Sequence, residues 1–124
     1  MKKTIFLLIG IALFVACQKE DNNGDLGGNW KLLQIEDFTS DSIIDKKEED
    51  RFWAIQLDLI QIGNGKGRFQ HVNDSLFVQM IRKTTNPEQY GLYDQDNARY
   101  SVEHLSRKSM ILRSRFAELK FRKF

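Results

Sequence analysis

Cysteine occurs once in this chain of 124 residues, at position 17, and proline once, at position 87. A single thiol excludes an internal disulfide, so packing has to supply the stability. Histidine is nearly as scarce, with His71 and His104 the whole supply. No apolar run is long enough for a spanning helix: residues 5–16 give 12, where a bilayer needs about 20. Net charge is small as well. The formal +2 includes Lys2 and Lys3, so a chain starting at position 17 carries 17 basic and 17 acidic side chains. That balance gives no argument for nucleic acid.

What is present begins with the leader. Lys2 and Lys3 precede the short apolar run, and Leu13, Phe14, Val15, Ala16 and Cys17 close it. These residues resemble the lipobox of bacterial lipoproteins, with a small residue at the cut site before the thiol that accepts diacylglycerol. The resemblance implies a signal peptide over 1–16 and acylation of Cys17. Two or three acyl tails, at about 0.8 kcal/mol for each buried methylene, then hold the protein on a membrane without a helix. Gln18, Lys19, Glu20 and Asp21 follow. They have little capacity to bury surface, which reads as a tether over 17–26. They also resemble the surface-export signal of Bacteroidetes lipoproteins, which implies a lipid-anchored domain at the outer membrane, exposed on the cell surface.

Residues 27–124 suffice for one domain with a core. Charge is segregated along the mature chain: residues 17–50 hold four basic and ten acidic side chains, and 51–124 hold thirteen and seven. Periodicity is that of strands. Ala117, Leu119 and Phe121 alternate with Glu118, Lys120 and Arg122, a period of two with one face in a core and the other in water. Residues 51–62 alternate through Trp53, Ile55, Leu57 and Leu59, and Leu59 beside Ile60 suggests a bulge in that strand or a change of its buried face. Gly63, Asn64, Gly65, Lys66 and Gly67 read as a turn, with residues 68–72 returning as the hairpin partner. Further strands are expected over 75–83, 100–105 and 109–113, with a polar loop over 84–89 around Pro87. Short strands with a turn roughly every ten residues favour an all-β antiparallel meander, and closure into a small barrel of about eight strands would remove its edges.

Gly28, Asn29 and Trp30 open the first of these strands. They resemble the glycine, any residue, tryptophan signature of lipocalin-like barrels, and the ending from Leu105 to Phe124 resembles small lipocalin-like lipoproteins of Bacteroidetes. The resemblance implies that the Trp30 indole plugs one end of the barrel and that a late-strand arginine stacks on it; Arg113, Arg115 and Arg122 are all candidates. It further implies capture of a small apolar or amphipathic ligand inside the barrel, against inward residues Trp53, Ile55, Leu57, Phe77, Leu112 and Leu119. The competing reading is a protein- or glycan-interaction module, or an accessory structural lipoprotein, with a barrel filled by its own side chains. That module would use exposed aromatics such as Tyr90 and Tyr93 or the basic tail.

Nothing points to an enzyme, a metal or a cofactor. His71 with Asp74, and His104 beside Glu103, have no recognised ligand spacing, because neighbours on a strand point to opposite faces. Residues 46–50 lack the alternating oxygens and central glycine of a calcium loop and read as a solvated turn. Gly63, Gly65 and Gly67 do not lie between a strand and a helix, so they are turn glycines rather than a phosphate cradle. The triplets at Asp41, Ser42, Ile43 and Asp74, Ser75, Leu76 resemble O-glycosylation signals of Bacteroidetes, which implies acceptors at Ser42, expected in a polar loop, and at Ser75, expected to begin a strand and to be less accessible.

Overall fold

The computed structural model describes residues 23–124. The lipidation site Cys17 and the export residues Gln18, Lys19, Glu20 and Asp21 lie outside the described residues.

After a 3-10 turn at Gly24–Leu26, nine antiparallel strands follow: β1 (Gly28–Asp37), β2 (Ser42–Asp45), β3 (Phe52–Gln56), β4 (Leu59–Ile62), β5 (Gly65–Val72), β6 (Ser75–Arg82), β7 (Ala98–Leu105), β8 (Ser109–Arg113) and β9 (Ala117–Lys123). From β3 onward each strand pairs with its successor, and β9 returns to β1 to close the ring. Trp30 pairs with Lys123 at one end of that seam and Asp37 with Ala117 at the other. The other edge of β1 is shared end to end, Gly28 to Lys31 by β3 and Gln34 to Asp37 by β2. Eight strand positions therefore surround the interior, as the meander pattern predicts.

Alternation explains the inside. Trp30, Leu32, Trp53, Ile55, Leu76, Val78, Met110, Leu112, Leu119 and Phe121 are buried, and the residues between them on each strand are exposed or half-buried. An eight-stranded ring is just wide enough for such side chains to fill. Trp53 lies edge-on to Tyr100 at 5.6 Å and to Phe121 at 5.1 Å between ring centroids. Each large apolar side chain buried in this way contributes about 1.5–3 kcal/mol, which is where a chain without a disulfide finds its stability.

Several expectations are corrected. Residues 51–62 are two strands rather than one with a bulge: Gln56 pairs with Leu59, leaving Leu57 and Asp58 as a two-residue turn. Leu57 has φ 57° and is 46% exposed, so it points out of a turn and not into the interior. Phe77 is also outward. Leu76, Val78 and Met80 take the inner face of β6, while Phe77 lies under the Arg99 guanidinium at 5.6 Å. Gly65 and Gly67 belong to β5, beside a bulge between Lys66 and Gly67 where β5 and β6 run too close for a side chain at position 67. β2 was not expected, since its four residues are all exposed and carry no inward face. In the turn that follows it, Lys46 is buried with its ammonium 3.3 Å from Glu49.

Candidate functional site

The two ends of the barrel are closed differently. At the end where β1 begins, Leu26 and Trp30 are fully buried and the Trp30 indole N–H donates to the Leu26 carbonyl at 2.8 Å. The cation over Trp30 is Lys123, 4.5 Å from the ring centroid, rather than any of the three arginines. The register decides this, because Lys123 pairs with Trp30 and Arg122 faces outward beside Lys31. Position 28 decides it too. A side chain there would meet the Lys123 stem at 3.1 Å, and φ of 121° is a region glycine adopts freely. Lys123 also donates to the carbonyls of Asp25, at 2.8 Å, and Gly27. Burial pulls its pKa below the ordinary lysine value, against the Asp25 carboxylate, which raises it.

The opposite end is the mouth, and the connection from β6 to β7, residues 83–97, folds over it. A 3-10 turn at Pro87–Tyr90 lies between two left-handed residues, Asn86 (φ 52°) and Gly91 (φ 78°), and drops Leu92 into the core. Two buried rings hold it from below. The Trp53 indole N–H donates to the Tyr90 carbonyl at 2.9 Å, and the Tyr100 hydroxyl donates to the Gly91 carbonyl at 2.8 Å. From the rim, the Arg51 guanidinium lies 5.1 Å over the Tyr90 ring, donates to its hydroxyl at 3.4 Å and binds the Gln89 side chain. The Tyr90 bond raises the Arg51 pKa. Asn64 and Gln95 fasten the first residues of the connection, with Thr84 donating to both and accepting from Gln95. Tyr90 and Tyr93, expected as exposed aromatics, are half-buried against the core.

Beside this plug, where the start of β7 separates from the turn between β8 and β9, lies a cleft of about 350 Å³. Its apolar wall is Tyr93, Tyr100, Ala98 and Phe116, with the Tyr93 and Phe116 rings 5.4 Å apart. Arg99, Arg115, Asp94 and Ser114 form its polar border. Arg115 lies 4.7 Å over Phe116, and neither arginine makes an ion pair among the described residues. The Asp94 carboxylate is already engaged by the backbone N–H groups of Asn97 and Asp96, each at 3.0 Å, which lowers its pKa. Burial raises the Tyr93 hydroxyl and pushes the Tyr100 hydroxyl far above its ordinary value. The Tyr100 hydroxyl is spent on the Gly91 carbonyl, and the border carries two positive charges, Arg99 and Arg115, against the single carboxylate of Asp94. Such a cleft suits a flat apolar body with an anionic end.

Of the residues expected to contact a ligand, Trp53, Ile55, Leu112 and Leu119 come together in the interior, packed against the protein's own side chains. Leu57 and Phe77 do not join them. Tyr100, Leu92 and Phe116 also form the mouth; Tyr100 alternates with its neighbours on β7, whereas no local pattern in the sequence marks Leu92. Ser42 is exposed, its hydroxyl 2.6 Å from that of Ser40, and it opens a strand rather than sitting in a loop; Ser75 is half-buried at the start of β6. His71 is exposed on β5 and His104 bonds Ser109 at 2.9 Å. Among the described residues no three His, Cys, Asp or Glu side chains gather to hold a metal, and no helix is long and apolar enough to cross a membrane.

A family model described as a lipocalin-like domain matches residues 12–124. Among solved structures, the chain is similar to a lipocalin-like protein from Bacteroides uniformis ATCC 8492, at 20% identity and a TM-score of 0.67, over 82% of this chain and 100% of that one. It is also similar to an uncharacterized protein from Bacteroides eggerthii DSM 20697, at 17% identity and a TM-score of 0.59, over 79% of this chain and 98% of that one. At these identities the likeness speaks for the fold alone. No curated protein matches.

Proposed function

The chain belongs to the lipocalin-like domain family, and from that premise we propose that it is a lipid-anchored binding protein that takes a small amphipathic ligand at the mouth of its barrel. The observation that carries this reading is the 350 Å³ cleft walled by Tyr93, Tyr100 and Phe116 and bordered by two arginines without ion-pair partners. The interior is occupied by Trp30, Trp53, Tyr100 and Phe121, which moves the site from the centre of the barrel to its rim. The ligand class is a flat apolar molecule with a carboxylate or similar anion, its body on the rings and its charge at Arg99 and Arg115.

Anchoring rests on Leu13, Phe14, Val15, Ala16 and Cys17, and outward exposure on Gln18, Lys19, Glu20 and Asp21. Together they favour a surface-exposed lipoprotein of the outer membrane, of the Bacteroidetes type. We read the protein as a binder rather than an enzyme, since neither His71 on β5 nor His104 on β7 lines the cleft.

The test is titration of tyrosine and tryptophan fluorescence with bile acids, fatty acids and haem. At least one of these shifts the emission, and Phe116→Ala and Arg115→Ala each weaken that ligand about tenfold or more. Silence across the whole panel would remove the reading. The second reading, an interaction module with a filled barrel, is favoured by the β2 edge, whose outer side pairs with nothing among the described residues. Retention of a surface protein or glycan that β2 variants lose would establish it instead.

A further inference from the structure

The end of the barrel opposite the mouth carries features that neither folding nor ligand capture uses. Leu57 stands at the tip of the turn between β3 and β4 with φ 57°, a region that side chains other than glycine, asparagine and aspartate seldom adopt. It is exposed there, and its neighbour Leu59 is 52% exposed. A leucine in that backbone conformation with its side chain in solvent is explained neither by local preference nor by burial. The two leucines border an outer groove of about 330 Å³ that also includes Ala54 and Ile60. Next to it, Phe52 pairs with Lys31 across β1 and β3, and Phe124 packs on Phe52 at 5.1 Å.

Around the same sector the charge is positive. Lys31 and Arg122 sit directly opposite each other on β1 and β9, an arrangement of like charges that costs stability unless an anion lies over it. Lys120 is the next outward residue on β9, and Lys108 lies in the adjoining turn, its carbonyl accepting from the Lys123 N–H at 2.8 Å. None of these four cations makes an ion pair among the described residues. Asp25, Asp58, Asp74 and Glu103 are the carboxylates at this end, four against five cations once Arg107 is included. The hairpin at the mouth has the opposite character, with Asp37, Asp41, Asp45 and Glu48.

The chain enters the domain at this basic, apolar end. The Asn23 side-chain amide donates to the Leu57 carbonyl at 2.9 Å, fastening the start of the described chain to the leucine turn. From Cys17 to Asn23 the backbone spans no more than about 22 Å even when fully extended. If Cys17 is acylated, as the functional reading above holds, this end stays within that distance of the bilayer.

We propose that the tether-proximal end of the barrel is a membrane-docking face, on which Leu57 and Leu59 enter the headgroup layer while Lys31, Lys108, Lys120 and Arg122 bind anionic headgroups. The anchor alone would leave the domain free to tumble; the docking face would set its orientation, with the mouth pointing away from the membrane. Cations close to an anionic surface and a small apolar insertion supply complementary, salt-sensitive attraction.

The experiment uses the full chain reconstituted in phosphatidylcholine vesicles with and without phosphatidylglycerol, labelled with an amine-reactive reagent and read by mass spectrometry. Lys31, Lys108 and Lys120 are expected to label several-fold more slowly in the anionic vesicles and to recover in high salt, while Lys83, in the connection over the mouth, labels equally in both. A Leu57→Trp variant is expected to show blue-shifted emission quenched by brominated lipid in the anionic vesicles only. Equal labelling of all four lysines in both vesicle types, with Cys17 found acylated in the same spectra, overturns the docking face and leaves the anchor standing. Protection in both vesicle types overturns the headgroup assignment. Protection with an unacylated Cys17 upholds the docking face and removes the anchor.

Discussion

Lys123 holds its ammonium 4.5 Å from the centroid of the Trp30 ring, in space that only a glycine at position 28 leaves open. The three residues act as one device: Gly28 removes a Cβ, Lys123 lies through the gap, and Trp30 closes the end of the barrel with its N–H on Leu26. Cation–π contacts of this kind contribute about 0.5–2 kcal/mol. Lys123→Met keeps the stem and removes the charge together with two hydrogen bonds to backbone carbonyls. Urea denaturation should therefore show a loss of about 1–3 kcal/mol, and Gly28→Val should cost at least as much because it displaces the same lysine.

Tyr100 sets a limit at alkaline pH. Burial raises its hydroxyl far above the unfolded value near 10, so above that pH the folded chain binds a proton that the unfolded chain has released. The stability tied to Tyr100 is complete below pH 10 and falls steadily as pH rises beyond it; Tyr93, raised by burial, adds in the same direction. Tyr100→Phe should lose about 1–3 kcal/mol at neutral pH, because the Gly91 carbonyl is left without its donor. In exchange its stability should fall less steeply than that of the wild type between pH 10 and 11, as followed by thermal melts. A wild type whose melting temperature does not fall over that interval would contradict the assignment.

Much of the barrel was legible because its strands obey one rule in the open. β9 alternates Ala117, Leu119 and Phe121 with charged residues, and no other structure accommodates that pattern as well. Where both faces are apolar the rule loses its phase: β6 carries Leu76, Val78 and Met80 on one side and Phe77 and Ile81 on the other, and periodicity does not say which side is inside. The break at Leu57 was invisible for a different reason, since leucine is a poor turn residue and nothing local announces the reversal. The cation over Trp30 depended on the register between the first strand and the last, a long-range property. The mouth was the least legible part, because residues 83–97 have no periodicity and Leu92 is buried only through contacts made elsewhere in the chain.

Gly91 is the tightest point of that mouth. Its φ of 78° is left-handed, and a Cβ built on it runs into the side chain of Leu119. Gly91→Ala therefore combines backbone strain with overpacking, each costing about 1–3 kcal/mol. The expected result is a melting temperature lower by several degrees, and faster hydrogen exchange at the Gly91 and Leu92 amides, which bond to Glu88 and Pro87. Gly24→Ala is the control, because its left-handed φ of 56° carries the strain while no atom lies within 4 Å of the added Cβ. It should cost measurably less.

Leu92 separates a barrel that is filled for stability from one that is stoppered. Its side chain is fully buried among the residues at the top of the core, while the residues just before it are held by side chains rather than by sheet pairing: Trp53 and Tyr100 bond the Tyr90 and Gly91 carbonyls, and Arg51 bonds the Gln89 side chain. Leu92→Ala removes apolar contact without touching those hydrogen bonds, so the loop should stay in place over a new space. The loss should be about 2–4 kcal/mol by urea denaturation, on the scale of other buried leucine truncations. If the core beneath stays rigid, that space remains apolar, and the variant should bind a small dry hydrocarbon such as benzene, seen as a partial recovery of melting temperature that wild type does not show. A loss below about 1 kcal/mol, or hydrocarbon binding equal in both proteins, would mean that Leu92 does not plug the barrel and that the mouth stands open in solution.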